Sequence, residues 1–299
     1  MEKGEEGLGK AYDDTINRIE NQGHGIHKLA KKVLFWVVYA KRPLIAEELR
    51  HALAVEPGTC RLDKTNLYPV KDMVSSCAGL ITVDSNIVRL VHYTTQEYFQ
   101  RRGLKSFEDV KRDIIATSCL TYLSYDVFAE SCLTWSDLRS RLQQNAFFEY
   151  AAQNWAYHIQ DAQQSAIDLA LEFLMDDRKV WTSSQALFAY RCPQQFCGMH
   201  LVAYFGLNNI MVRLLEKEDP DTRDTNDRTP LSYAAERGNA LMVDMLLKYD
   251  VDLNVKCKKG LTPLSLAIEG GSAAVVQLLL VQRVKINYHY LLVSISNHF

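Results

Sequence analysis

The amino-acid sequence predicts a mainly α-helical protein in three parts: a small domain of helices and a β-hairpin, an α-helical bundle and a repeat solenoid. Three observations predict this organisation. A 33-residue repeat fills the C-terminal third, a hairpin pattern follows three short helical patterns near the N-terminus, and residues 107–191 contain neither glycine nor proline. With 299 residues, 47% of them hydrophobic, the chain is long enough for about two cores.

Charge and cysteine content exclude several classes of function. The 34 basic and 36 acidic side chains leave a net charge of −2, so no global attraction to nucleic acid or to an anionic membrane follows. Seven cysteines without a CxxC pair indicate free thiols in a reducing compartment, and Cys192 with Cys197 lacks the second pair that a zinc site needs. The longest apolar run, 33–40, is too short to cross a bilayer. We therefore expect a cytoplasmic protein without metal, cofactor or membrane partner.

The repeat is the strongest pattern in the sequence. TPLSYAAERGNALMVDMLLKYDVDLN begins at Thr229 and TPLSLAIEGGSAAVVQLLLVQRVKIN begins at Thr262. Each threonine is predicted to cap a helix whose first position is the following proline. Gly238 and Gly271 are predicted to end these helices in the left-handed conformation, which glycine adopts at little cost.

A second helix is predicted in each repeat. Asn239 and Ser272 stand where a side chain would cap it. The apolar positions then recur at helical spacing and predict a buried face. That predicted face consists of Val243, Leu246, Leu247, Val276, Leu279 and Leu280.

A weaker copy, MHLVAYFGLNNIMVRLLEK, precedes these repeats at a spacing of 32 residues, and Cys197 and Gly198 replace its Thr-Pro pair. The matching positions are Ala203, Gly206, Met211, Leu214 and Leu215. Together the copies resemble the ankyrin family. The resemblance assigns 196–299 to ankyrin repeats: a degenerate one at 196–228, one at 229–261 and an incomplete one at 262–294.

The resemblance implies a protein partner, because ankyrin arrays bind proteins through the fingers between repeats and through their first helices. The fingers would be 224–228 and 256–260. The family usually has Gly where Asp227 stands and Asp where Cys257 stands, so both fingers depart from its pattern. The lysines of the second finger also fit a solvated turn. The candidate contact residues are Asp224, Asn226, Asp227, Arg228, Lys256, Lys258 and Lys259.

The N-terminal third predicts a winged helix, which is three helices followed by a hairpin. The predicted elements are a helix from Lys28 that stops at Pro43, helices at Ala46–Leu53 and about Leu67–Cys77, and strands at Leu80–Val83 and Ile87–Val91. After the hairpin, Thr94 and Glu97 predict a capping box, with Tyr93 stapled to Tyr98. His92 is thereby placed where a strand ends and a helix begins.

DNA binding is the alternative that a winged helix raises. The candidate recognition helix offers Lys64 and Lys71, but Asp63 and Asp72 stand beside them. Neutralising phosphates needs several clustered basic side chains. The sequence therefore favours no nucleic-acid partner.

The segments YAKRPLIAEELRHALAV, CAGLITVD and VRLVHYTTQEYF resemble the winged helix, of GPI inositol-deacylase type, of fungal NACHT proteins, relatives of the NOD-like receptors. GLGKAYDDTINRI resembles the end of the helical linker before it, which implies that the G-x-x-x-x-G-K pattern at 4–10 is no phosphate loop. The resemblance implies a signal-transducing receptor, of which this chain is a fragment lacking the NACHT domain. It also implies that His92 contacts bound ADP when that domain is supplied; the alternative is a histidine that only forms a hydrogen bond where the strand meets the helix. Ile45 stands where the family usually has Thr or Ser, which implies a poorly capped helix.

The middle block predicts helices at Asp113–Leu123, Ser136–Leu142, Phe147–Ile159 and Ala166–Met175. CLTYLSYD and FFEYAAQNWAYHI resemble the segment that follows the winged helix in the same fungal proteins. Tyr150, Trp155 and His158 share a helical face and are expected to form a buried aromatic cluster, not a catalytic site. The expected domains are the linker end at 1–27, the winged helix at 28–103, the helical domain at 104–195 and the repeats.

No GxSxG or HExxH motif is present, so the sequence favours a protein without enzymatic activity. The resulting expectation is a protein–protein interaction module of a NACHT receptor. Its ankyrin repeats would bind a partner protein, and its winged helix would dock on a nucleotide-binding domain. A winged-helix DNA-binding regulator is the alternative.

Overall fold

The structure, a computed structural model, describes residues 2–102, 113–130, 132–160, 164–189 and 193–282. The described chain is mostly helical with one small sheet, which confirms the predicted fold class. The chain divides into two compact units. The first contains residues 1–127 and 134–166, and the second contains residues 128–133 and 167–299. The division falls inside the range 104–195 that the sequence suggests as a separate helical domain.

The first unit contains eight labelled helices and three strands. Its helices are α1 Glu2–Glu20, α2 His24–Tyr39, α3 Ala46–Leu53, α4 Val70–Ser76, α5 Tyr93–Arg102, α6 Ile114–Leu123, α7 Trp135–Gln144 and α8 Phe148–His158. Its strands are β1 Leu44–Ile45, β2 Ile81–Asp84 and β3 Ile87–Leu90, and a 3-10 turn covers Lys64–Asn66.

Helices α2, α3 and α4 and the three-stranded antiparallel sheet form the predicted winged helix. The predicted hairpin is confirmed, and its turn places Ser85 and Asn86 at positive φ angles of 49° and 67°. Strand β1 was not predicted, because two residues give no alternation of polar and apolar side chains. It pairs with β3 through Leu44 opposite Val88, so the strand order is β1-β3-β2.

The N-terminal G-x-x-x-x-G-K pattern lies inside α1. Helical backbone directs its N–H groups along the helix, not around a phosphate group. Helix α1 packs on α2 and α5. Its Tyr12 hydroxyl lies 2.6 Å from Thr94 Oγ1, and the Tyr98 hydroxyl donates to Asp13 Oδ1. These contacts tie the segment before the winged helix to the helix after its hairpin.

The predicted capping of two helices needs correction. Helix α3 is held firmly although Ile45 has no capping side chain. The nearly buried Glu48 carboxylate accepts from the Ile45 N–H at 2.9 Å, and Arg42 binds that carboxylate through two hydrogen bonds of 2.6 and 2.8 Å. Helix α5 begins at Tyr93, so His92 takes the capping position that was predicted for Thr94.

An aromatic core connects the winged helix with α6 and α8. The ring of Trp36 lies edge-on to Phe147 at 5.4 Å, and Phe147 stacks on Tyr150 at 5.6 Å. The Tyr150 hydroxyl lies 3.0 Å from His158 Nε2 and accepts from the backbone N–H of Lys41. The expected buried aromatic cluster with a hydrogen-bonded histidine is therefore present.

The second unit is a row of helices that continues from α9. Its helices are α9 Gln164–Leu174, α10 Asp177–Leu187, α11 Gly198–Phe205, α12 Asn208–Leu214, α13 Pro230–Glu236, α14 Ala240–Leu246, α15 Pro263–Glu269 and α16, which covers residues 273–282 of the described chain. The first helices of successive repeats, α11, α13 and α15, pack side by side.

The predicted repeat architecture is confirmed at its caps and helix ends. Thr229 and Thr262 accept hydrogen bonds from the N–H groups of the serines three residues later. Gly206, Gly238 and Gly271 end the first helices with φ of 71°, 69° and 72°. The 33-residue pattern therefore encodes a helical hairpin that stacks on copies of itself.

The predicted cap at Asn239 is wrong. Its amide donates to the carbonyl oxygens of Ala203 and Tyr204 at 2.9 and 3.2 Å, so it links neighbouring repeats and does not cap α14. Ser272 does cap, since its hydroxyl accepts from the Val275 N–H. The buried faces also differ in part from the prediction. Met242 and Val275 are buried, whereas Leu247 and Val276 are half-buried and Leu280 is exposed.

Candidate functional site

Three fingers connect the elements of the repeat array, and each has one residue in the left-handed region. These residues are Gln195, Asp227 and Gly260, with φ of 58°, 57° and 77°. Asp227 thus adopts the conformation of the glycine that the ankyrin family usually has there. The finger at Gln195 was not predicted, because the Thr-Pro pair that would follow it is replaced by Cys197 and Gly198.

The fingers lie in register and form one continuous edge. The N–H of Thr225 donates to Gln194 O, and the N–H of Lys258 donates to Asn226 O, each at 2.9 Å. The Asn226 side chain is exposed, as are Lys256, Lys258 and Lys259. A partner protein that lies along this edge would meet side chains from more than one finger.

Asp224 has a different place from the one predicted. It is 2% exposed, and Oδ1 accepts from the N–H groups of Asn226 and Arg228 at 2.7 and 3.0 Å. Oδ2 accepts from the Tyr233 hydroxyl. Both oxygens are therefore used within the finger. Asp224 fixes the shape of the finger and presents no exposed carboxylate to a partner.

Cys257 occupies the equivalent place in the next finger. Its N–H donates to Leu261 O at 3.0 Å, as the N–H of Asp224 donates to Arg228 O. The thiol side chain is buried, and Leu266 stands where Tyr233 stands in the preceding repeat. This finger keeps the same backbone hydrogen bond with an apolar interior.

Arg228 lies at the base of the finger at 224–228, and its side chain is mostly buried. Its Nη2 lies 2.6 Å from Glu236 Oε2, and its guanidinium carbon lies 4.0 Å from the centre of the Tyr233 ring. This geometry combines an ion pair with a cation–π contact. Arg228 is thus held in place before any partner arrives.

His200 connects the degenerate repeat with this finger. Nε2 lies 3.1 Å from the carbonyl oxygen of Arg228, so the neutral ring carries its proton on Nε2 and donates it there. Nδ1 is then free to accept, and it lies 3.2 Å from the Cys197 N–H and 3.1 Å from its Sγ. Burial lowers the pKa of His200, opposed by Asp224, and burial raises the pKa of Cys197. Both shifts favour the neutral imidazole and the neutral thiol, which fits a structural role in joining the degenerate repeat to the finger.

A groove of about 430 Å³ opens between the finger at 224–228 and the helices α11 and α13. Aromatic rings and two arginines form most of its wall. The Arg237 guanidinium carbon lies 4.6 Å above the Tyr204 ring, and Phe188 meets that ring edge-on at 5.1 Å. The full set of lining residues is Phe188, Pro193, Tyr204, Asn226, Arg228, Tyr233, Glu236 and Arg237.

Sequence reasoning placed only Asn226 and Arg228 of this groove among the candidate contacts. Arg237 was missed although a signal existed. It directly precedes Gly238, at the end of a first helix, where ankyrin arrays also meet their partners. Phe188 could not be found, because α10, which ends just before it, was not predicted.

His92 lies on the surface of the other unit. Its Nδ1 accepts from the Thr94 N–H at 3.3 Å and contacts the Thr94 hydroxyl at 2.8 Å. The ring leans on Tyr93, which is 69% exposed. Lys64 and Lys71, the candidate DNA contacts, are exposed and remain beside Asp63 and Asp72.

Among the described residues, no three or more His, Cys, Asp or Glu side chains come together in a group that could hold a metal ion. Cys192 lies outside the described residues. Of the helices that the structure describes, none combines the length and apolar character that a membrane span requires.

Comparison with known protein families matches two parts of the chain. Residues 18–111 match the winged helix domain of GPI inositol-deacylase, and residues 199–289 match ankyrin repeats in three copies. The two matches coincide with the winged helix and the helical hairpins of the structure. The chain therefore combines a winged-helix domain of GPI inositol-deacylase type with ankyrin repeats, which are non-catalytic interaction modules.

Individual relatives match over short stretches. Delta-latroinsectotoxin-Lt1a of Latrodectus tredecimguttatus is 43% identical over 65 residues, which are 21% of this chain and 5% of the toxin. FPV244 of Fowlpox virus (strain NVSL), named as an ankyrin repeat protein, is 51% identical over 37 residues, 12% of this chain and 6% of the viral protein. The chain thus spans only a small fraction of each relative.

Proposed function

We propose that this chain is a non-enzymatic protein–protein interaction module of a signal-transducing receptor of the NACHT and NOD-like type, acting in the cytoplasm of a fungal cell. Its ankyrin repeats bind a partner protein. The observation that carries the proposal is the register of the fingers, in which Thr225 and Lys258 each donate to the preceding finger. A continuous, preorganised edge suits recognition of another protein, since little ordering is left to occur on binding.

Site-specific crosslinking tests the partner-binding role. A photocrosslinking amino acid at the exposed Asn226 is expected to label a protein saturably, with competition by the unmodified chain. Arg213, exposed on α12 of the outer helix row, is the matched control and should label nothing specifically. Equal labelling from both positions, or none from Asn226, would contradict the role.

The winged helix is proposed to dock on a nucleotide-binding domain of NACHT type, as the sequence resemblance implies. Two features of His92 support this. Its Nδ1 is occupied by Thr94, while Nε2 has no hydrogen-bond partner among the described residues and remains available as a donor. When a NACHT domain is supplied in trans with ADP, His92→Ala should weaken their association, and the exposed His24→Ala should not.

An enzymatic function and a DNA-binding function each predict results that differ from those expected of an interaction module. The full chain is expected to show only background ATP turnover, unchanged by Lys10→Ala, because Lys10 lies in the helical backbone of α1. Turnover that Lys10→Ala abolishes would contradict the proposal. A duplex whose gel-shift affinity falls steeply with salt and with Lys71→Glu would instead support the DNA-binding regulator.

A further inference from the structure

The groove beside the finger at 224–228 has the composition of a site for a charged, planar ligand. Tyr204 and Tyr233 each support an arginine guanidinium on one face, at 4.6 and 4.0 Å. Stacking of this kind leaves the N–H groups at the edge of the guanidinium free to bind a carboxylate through paired hydrogen bonds. The groove therefore presents two arginines in fixed orientations.

The two arginines differ in what they already bind. Arg228 is paired with Glu236 at 2.6 Å. Arg237 is exposed and makes its contact with Tyr204, and within the described residues no carboxylate forms an ion pair with it. In the part of the chain that the structure describes, the guanidinium of Arg237 therefore has no carboxylate as its counter-charge.

The neighbouring finger increases the positive charge at this place. Lys258 is joined to the groove through its N–H, which donates to Asn226 O. Lys256 and Lys259 are exposed in the same finger. The exposed Asn226 amide adds a donor and an acceptor suited to peptide backbone.

We propose that this groove binds a peptide segment of the partner protein in which an Asp or Glu side chain adjoins an aromatic side chain. The carboxylate pairs with Arg237, and the aromatic ring packs against the Phe188 and Tyr204 walls. A volume of about 430 Å³ exceeds what a carboxylate alone fills and lies in the range of ligand pockets. This inference rests on the proposed partner-binding function and names the chemistry that the partner must carry.

A nucleic acid fits the same arginines less well. Glu236 lines the groove and Asp227 stands in the finger beside it, so a chain of phosphates would meet both carboxylates. A peptide with one acidic side chain can pair with Arg237 and avoid them. Single-stranded oligonucleotide is therefore the competing probe in the test.

The test uses the full chain and labelled short peptides with a central Glu-Trp pair, with Gln-Trp and Glu-Ser peptides as matched probes. Fluorescence anisotropy should show the Glu-Trp peptide binding about tenfold more tightly than the Gln-Trp peptide, with affinity falling as salt rises. Arg237→Gln should remove this preference, Arg237→Lys should reduce it, and Arg213→Gln should leave it unchanged. Circular dichroism verifies that each variant is folded.

Several results would overturn the inference. These are no measurable binding of the Glu-Trp peptide, an equal affinity for Gln-Trp, an unchanged preference in folded Arg237→Gln, or tighter binding of the oligonucleotide. The crosslink from Asn226 separates the two proposals. If it persists while the peptide preference fails, the array still binds a protein and only the acidic-aromatic specificity is wrong.

Discussion

The Tyr233 hydroxyl donates a hydrogen bond of 2.5 Å to Oδ2 of Asp224, and both side chains are buried. Asp224 in turn orients the finger through two backbone N–H groups. The next repeat replaces the pair by Cys257 and Leu266, which lack a carboxylate and a hydroxyl. Acceptor and donor are thus absent together, and neither is left unpaired.

Tyr233→Phe tests the energetic value of this bond. The variant keeps the ring, which packs on Phe196 at 5.3 Å, but leaves Oδ2 of Asp224 without its donor. We expect a loss of about 1–2 kcal/mol in the free energy of unfolding. Urea titration followed by circular dichroism measures it, with the exposed Tyr249→Phe as control. Identical midpoints for the two variants would contradict the assignment.

Asp224→Ala and Cys257→Ala form a matched pair at equivalent places in two fingers. Asp224→Ala removes an acceptor of three hydrogen bonds and should cost at least about 2 kcal/mol. Cys257→Ala removes one buried sulfur and should cost about 1 kcal/mol. Hydrogen exchange should accelerate at the Asn226 and Arg228 amides in the first variant only. Unchanged exchange there would show that the carboxylate does not hold the finger.

Gly198 stands where the repeats have proline, and its surroundings give a physical reason. A Cβ atom at Gly198 would lie 2.4 Å from the carbonyl oxygen of Leu174. We expect Gly198→Ala to lower the free energy of unfolding by about 2 kcal/mol, because backbone must move to admit the methyl group. Gly25→Ala, with nothing within 4 Å of the added atom, is the control. A melting temperature unchanged in Gly198→Ala would refute the close contact.

The parts predicted from sequence are those that local chemistry determines. Helix α3 was predicted at Ala46–Leu53 because Pro43 and the apolar spacing define it. Helices α13 and α15 were predicted because a threonine caps each of them, a proline begins it and a glycine follows its end. In each case the signal and its structural effect lie within about ten residues.

The parts that sequence did not reveal depend on distant partners. Helix α10 buries Thr182, Ser183, Ser184 and Gln185, so no apolar period marks it. Gln185 is satisfied by both backbone groups of Cys132, 53 residues away in sequence. Asp224 is a similar case. From the sequence it was predicted to be an exposed contact residue, because the sequence does not show that Tyr233 and the backbone N–H groups of the finger surround it.

Glu48→Gln tests how α3 begins without a capping side chain. Glu48 is 4% exposed and receives hydrogen bonds from Arg42 and the Ile45 N–H. The amide cannot reproduce the ion pair, and we expect a loss of about 2 kcal/mol in the free energy of unfolding. Glu47→Gln, whose exposed carboxylate pairs with Arg50, should change it by less than about 0.5 kcal/mol. Equal effects from the two substitutions would argue against a special role of Glu48.

Acid should weaken the first unit through two histidines, the buried His51 and the half-buried His158. Burial, assisted by Lys41, lowers the pKa of His158 from 6.5 to about 4, and burial also lowers the pKa of His51. His158 Nε2 lies 3.0 Å from the Tyr150 hydroxyl. That hydroxyl accepts from the Lys41 N–H, so its own proton is directed to Nε2 and the ring must be neutral.

The sign of the pH dependence follows from this geometry. Between pH 6.5 and about 4, the unfolded chain binds a proton at position 158 and the folded chain does not, so unfolding is favoured as pH falls. The stabilising contribution is complete above pH 6.5 and is lost by about pH 4. His158→Gln should flatten the decline of the urea midpoint across this window, whereas the exposed His24→Gln should leave its slope intact. A decline equally steep in both variants would place the acid sensitivity elsewhere.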